Sequence, residues 1–110
     1  MPAEIKIRRA HPVGATLSQT IMRDGWQLRT LDWPAEGSPR GSILFQGGRG
    51  DFIEKYLETL AYWHTQGWSV TAFDWRGQGK SGRLSDDANV GHIDDFAVWI
   101  DDLAEFYKRW

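Results

Sequence analysis

Ser42-Ile43-Leu44-Phe45-Gln46-Gly47-Gly48-Arg49-Gly50-Asp51 decides the fold. It opens on a short, nearly unbroken apolar run, the form of a strand covered on both faces in a parallel sheet. The glycines that follow at once permit positive φ and close approach of the backbone, so the strand ends in a tight corner. Residues 51–66 then carry Phe52, Ile53, Tyr56, Leu57, Leu60, Trp63 and His64 at the i, i+3, i+4, i+7 recurrence of an amphipathic helix. Gly67 stands where a C-terminal cap belongs, and Ser69–Phe73 is a further β-prone run. Strand, helix, strand in this order crosses over into a parallel sheet. The fold class is therefore α/β.

Upstream, residues 16–22 and 27–33 are β-prone runs around Arg23-Asp24-Gly25, and Asp-Gly between two such runs signals an antiparallel hairpin. Residues 34–41, rich in Pro and Gly, end the second strand. Residues 1–14 lack periodicity and contain two prolines, so they read as an arm ahead of a domain over 15–110. Downstream, residues 74–91 form a long glycine-bearing connection. Residues 92–110 place Ile93, Phe96, Ala97, Ile100, Leu103, Ala104 and Tyr107 on one helical face, expected to be the buried one, with Asp94, Asp95, Asp101, Asp102 and Glu105 largely opposite. About four strands with helices on both faces are expected. No stop signal follows the last helix, which should return to another strand, so the chain reads as cut.

Composition narrows the chemistry. Seven Trp, five Phe and three Tyr ask for more burial than 110 residues ordinarily offer. A net charge of −2 from 13 basic and 15 acidic residues, well mixed, creates no field for nucleic acid. The absence of cysteine excludes disulfides, thiolate metal sites and a cysteine nucleophile. The charged start has no apolar h-region behind it and nothing approaches a membrane span, so a cytoplasmic protein without a cofactor is expected.

The corner Gly47-Gly48-Arg49-Gly50 admits several functions beside a plain turn. A dinucleotide fingerprint fails at its third glycine, where Ile53 stands. A preorganised N–H at the helix start could instead serve as an oxyanion hole, and the residues alone leave that reading level with a plain corner. Gly79-Lys80-Ser81 imitates the end of a P-loop, but Asp74 occupies the place of the first glycine. Asp74-Trp75-Arg76-Gly77-Gln78-Gly79-Lys80-Ser81 reads better as a rigid turn in which Arg76 pairs through its planar fork. Ser81, His92 and Asp94 or Asp95 compose a triad only by residue type, because no nucleophile elbow surrounds any serine. His92-x-Asp94 lacks a third metal ligand. His11 and His64 read as surface and helix-face residues, and the tryptophans as core.

Taken together, Asp24-Gly25-x-x-Leu28, Phe45-Gln46-Gly47-Gly48-Arg49-Gly50, Asp74-x-Arg76-Gly77-x-Gly79-x-Ser81-Gly82-Arg83, Gly91-His92 and Asp101-Asp102-Leu103-Ala104 resemble the lysophospholipase and monoacylglycerol lipase branch of the α/β-hydrolases, bacterial lysophospholipases in particular. The resemblance runs from about Ser18 to Trp110. It implies the N-terminal part of an α/β-hydrolase fold and, for the intact enzyme, acyl transfer through serine on a lipid or ester substrate. Gly47 stands in for the family's corner histidine, and Arg49 N–H, with Gly47, Gly48 and Gly50, takes the oxyanion position. Asp74, Arg76, Gly77, Gly79 and Ser81 match the family's structural turn. The family's Gly-x-Ser-x-Gly nucleophile, its acid and its histidine all come later than Trp110, so no catalytic residue is assigned and the chain is expected to be inactive alone. The family also pairs the corner strand with the nucleophile strand, which leaves Ser42–Phe45 as an apolar edge through which a homo-oligomer is expected to form. Two other readings stay open: a noncatalytic association module, and a fragment of a relative with an aspartate nucleophile.

Overall fold

The computed structural model describes residues 12–82 and 96–110. Most of the arm expected over 1–14, and His92, Asp94 and Asp95, lie outside the described residues. The elements are β1 (Thr16–Ile21), β2 (Gln27–Trp33), β3 (Ser42–Phe45), a 3₁₀ turn (Ile53–Tyr56), α1 (Leu57–Thr65), β4 (Ser69–Phe73) and α2 (Phe96–Arg109). The sheet order is β1-β2-β4-β3, with β1/β2 and β2/β4 antiparallel and β3/β4 parallel. The hairpin and the strand-helix-strand unit thus join into one mixed sheet of the α/β class.

Alternation along the strands sends side chains to two faces. Leu31, Trp33, Val70 and Ala72 pack beneath Ile53, Leu57 and Leu60 of the 3₁₀ turn and α1. Leu28 and Phe73 face the other way, onto Phe106 of α2 and Met22. The two helices therefore cover opposite faces. His64 of α1 stacks on Trp33 at 4.3 Å between ring centroids, and its Nε2 lies 2.9 Å from Pro34 O, fastening the connection after β2.

Three expectations change. The helix expected from residue 51 begins with the 3₁₀ turn, because Asp51 bonds back to Gly48 N–H and Phe52 stays extended at φ −151°. β3 meets both layers, Phe45 packing against the core beneath α1 and Leu44 against the core beneath α2, but as an edge strand with a neighbour on one side only its apolar residues are half-buried rather than buried. The buried face of α2 is not the expected stripe. Trp99, Asp102 and Phe106 point inward, while Phe96, Ile100 and Tyr107 are 56%, 67% and 64% exposed. The inward face is chosen by partners: Trp99 stacks on Trp75, Phe106 lies against Phe73, and Asp102 enters the core because Arg76 meets it there.

Candidate functional site

Two glycine-bearing segments leave adjacent strands and meet. The corner after β3 and the turn after β4 emerge at the same end of the parallel pair, where open α/β sheets place their ligand sites. Trp75 Nε1 donates to Gly47 O at 2.7 Å, Gly50 N–H to Gln78 Oε1 at 2.8 Å, and Ile53 N–H to Asp74 Oδ1 at 2.8 Å. The turn is thus a template on which the corner is built.

Within the corner, Asp51 acts as a cap. Its Oδ2 accepts from Gly48 N–H at 2.7 Å and from the Tyr56 hydroxyl at 2.6 Å, and its Oδ1 takes Lys55 Nζ at 2.7 Å. Lys55, Tyr56 and the Gly48 N–H together hold the Asp51 carboxyl down at about 2. Gly48 and Gly50 N–H are therefore both engaged, whereas among the described residues no acceptor meets the N–H of exposed Arg49 between them. Gly50 sits at φ +80°, which favours glycine. A Cβ on Gly47 would come within 2.9 Å of Asp51 Cβ, so this position leaves no room for a side chain without a shift.

The turn is held by two arginines. Arg29, arriving from β2, forks onto Glu54 at 2.6 and 2.5 Å and reaches Asp74 Oδ2 with Nε at 3.0 Å. Asp74 is 2% exposed and also accepts Lys80 N–H at 2.9 Å. Burial pushes the Asp74 carboxyl up, against the Lys80 and Ile53 N–H groups and Arg29, which lower it. Burial also works against the Arg29 cation, but Glu54 and Asp74 outweigh it and raise its pKa. Ser81 Oγ donates to Asp74 O at 2.7 Å and accepts Arg29 N–H at 2.8 Å. Ser81 is thereby committed to the backbone on both sides and is in no position to act as a nucleophile.

Arg76 is the second hub. It pairs with Asp24 of the hairpin loop and Asp102 of α2, lies 5.0 Å from the Trp26 ring centroid, and its carbonyl accepts Trp99 Nε1 at 3.0 Å. Gly79 is required sterically, since a Cβ there would overlap the Asp74 carboxyl. Gly77 and Gly79 take φ +78° and +51°.

The residues singled out from the sequence for the oxyanion corner and the structural turn, Gly47 to Gly50 and Asp74, Arg76, Gly77, Gly79 and Ser81, fall in this one junction. The sequence reading missed Arg29, Asp51, Trp75 and Gln78. Only the Gly-Gln-Gly spacing of residues 77–79 hinted at a side chain trapped in a tight turn. Among the described residues no group of three His, Asp or Glu could hold a metal ion, and no helix is long and apolar enough to cross a membrane.

A family model described as serine aminopeptidase, S33, matches residues 37–110. Lysophospholipase L2 of Escherichia coli (strain K12) is 45% identical over 69 residues, which are 61% of this chain and 20% of that protein. The probable lysophospholipase L2 of Haemophilus influenzae is 32% identical over 74 residues, 67% of this chain and 23% of that one. The matched region thus spans between a fifth and a quarter of these curated relatives. Among solved structures, a soluble variant of monoglyceride lipase from Saccharomyces cerevisiae superposes with a TM-score of 0.71 at 21% identity, over 94% of this chain and 33% of that one. A thermostable carboxyl esterase from Bacillus coagulans gives 0.68 at 18% identity, over 89% and 32%. The shared fold is that of the α/β-hydrolases.

Proposed function

Because this chain belongs to the serine aminopeptidase S33 family of α/β-hydrolases, we propose that it is the N-terminal segment of a lysophospholipase-like carboxylic ester hydrolase that works by acyl transfer through serine. Residues 15–110 are the part of the catalytic domain that carries one donor of the oxyanion hole. The observation that carries this is the Arg49 N–H, left without an acceptor among the described residues between two N–H groups that side chains have taken. Such a donor, fixed before substrate arrives, stabilises the negative charge that develops on the carbonyl oxygen as the acyl carbon becomes tetrahedral. Gly47, Gly48 and Gly50 supply the backbone shape, and Asp74, Arg76, Gly77, Gly79 and Ser81 the rigid support. The lysophospholipase L2 relatives favour a lysolipid among ester substrates.

No Gly-x-Ser-x-Gly lies in the 110 residues, so a polypeptide of this sequence alone is inactive: the nucleophile, the acid and the histidine are supplied by other residues. A chromogenic short-chain ester tests this. Turnover by the pure chain that a serine-directed phosphonate abolishes would overturn it.

A second reading rests on surface. The β3 edge and the exposed stripe Phe96, Ile100 and Tyr107 on α2 are apolar and uncovered among the described residues, and they favour self-association. Sedimentation at rising concentration should show an oligomer that Ile100→Lys weakens. A strictly monomeric species at the highest concentration rules the oligomer out.

A further inference from the structure

We infer that Gln78 is a positioning residue of the glycine corner, holding Gly50 so that the adjacent Arg49 N–H keeps one direction. The inference rests on the reading of that N–H as an oxyanion donor. Gln78 is 2% exposed. Its own backbone is fixed at both ends, its N–H donating to Trp75 O and its carbonyl accepting Ser81 N–H, both at 2.9 Å. With Gly77 and Gly79 at positive φ on either side, the side chain is delivered across the gap between the two segments. There Oε1 accepts Gly50 N–H at 2.8 Å.

The orientation of the amide is dictated by that donor. Turned over, the amide would set its NH₂ against the Gly50 N–H, so the oxygen must face Gly50 and Nε2 must face away. Nε2 is buried, and among the described residues it has no hydrogen-bond partner. An orphaned buried donor costs stability, and an apolar side chain of similar volume would avoid that cost. Gln78 is therefore poorly explained as a packing residue and well explained as a clamp. Gly50 needs one: a Cβ there would meet open space, so no packing restrains it, and glycine is the residue least able to hold its own conformation. Asp51 fastens Gly48 and Gln78 fastens Gly50, one on each side of Arg49. This is the kind of support that preorganises a backbone donor.

The test uses ¹⁵N-labelled full 110-residue chain with Gln78→Met and Gln78→Glu. In Q78M the Gly50 amide should exchange about tenfold faster and the Arg49 resonance should move, while amides of β2 such as Leu31 keep their protection. Its melting temperature should stay within about 2 °C of the parent, because the orphaned donor is removed together with the bond. Q78E retains an acceptor and should restore Gly50 protection. Unchanged Gly50 exchange in Q78M, or an equal loss of protection at Gly50 and Leu31, overturns the inference. Should Q78M not fold, loss of Gly50 protection in Q78E overturns it, and retained protection in Q78E supports it. The Gly50 amide reports the clamp alone. Whether Arg49 N–H meets an oxyanion is read separately by substitutions at Arg49, so either claim can fail without the other.

Discussion

Arg76 and Asp102 meet through two hydrogen bonds of 2.9 Å each, Nε to Oδ2 and Nη2 to Oδ1, joining the turn after β4 to the middle of α2. The pair explains how an acidic residue comes to lie on the inner face of a helix whose outer face is aromatic and aliphatic. Burial pushes the Asp102 carboxyl up, and Arg76 opposes it. Removing one member of a buried pair leaves the other uncompensated, which costs about 3–5 kcal/mol. Arg76 keeps Asp24 as a partner, so Asp102→Ala belongs near the low end, about 3 kcal/mol. Urea denaturation measures it, and loss of near-ultraviolet dichroism from the Trp75–Trp99 stack should accompany it. A cost below about 1 kcal/mol would mean that aromatic packing alone seats α2.

Gly79 and Gly50 differ in why they are glycines. At Gly79 a Cβ would overlap the carboxyl of Asp74, itself held by Arg29, Ile53 and Lys80, and φ is +51° besides. At Gly50 the space is open and only the positive φ resists substitution. Gly50→Ala should cost about 1–2 kcal/mol and Gly79→Ala more than about 3 kcal/mol, read from denaturation midpoints. Equal costs would mean that the Asp74 cage yields.

These contacts mark what the sequence could and could not announce. β2, β3 and β4 are legible because β-branched and apolar runs end at Pro, Gly or a charged turn within a few residues. The inner face of α2 is not, because Phe96, Ile100 and Tyr107 form the better apolar stripe, and the choice of the opposite face depends on Arg76, 26 residues upstream. Arg29 misleads in the same way. Within Gln27–Trp33 it is a charge in a strand, and its burial follows from Glu54 and Asp74, which only the fold brings near. The corner and the turn are legible as motifs. The side chains that join them, Trp75 and Gln78, occupy the variable positions of those motifs, and their contacts are long-range.

Asp51 makes stability depend on acid. Its folded pKa of about 2 lies below the ordinary 3.8. A depressed carboxyl contributes stability that is fully present above its unfolded value and lost as pH falls through the folded one, so the window runs from about 4 down to about 2. Burial raises Asp74 and Asp102, which gives them the opposite sign and makes the total profile a sum. Comparison with Asp51→Asn isolates the one group. The difference in unfolding free energy between parent and D51N should be constant above pH 4.5 and shrink towards pH 2. A difference that does not change with pH would show that the cap works equally well when uncharged.

The central claim is that a backbone donor at residue 49, and not its side chain, serves the chemistry. The direct measurement places residues 37–110 in the corresponding segment of Escherichia coli lysophospholipase L2 and follows lysophospholipid hydrolysis by the parent chimera, Arg49→Ala and Arg49→Pro. Alanine keeps the N–H and proline removes it. The parent and R49A should turn over at similar rates, and R49P should lose about 10²- to 10³-fold in kcat, the loss expected for one oxyanion donor. An R49P chimera as active as R49A, or an R49A chimera as impaired as R49P, would contradict the assignment.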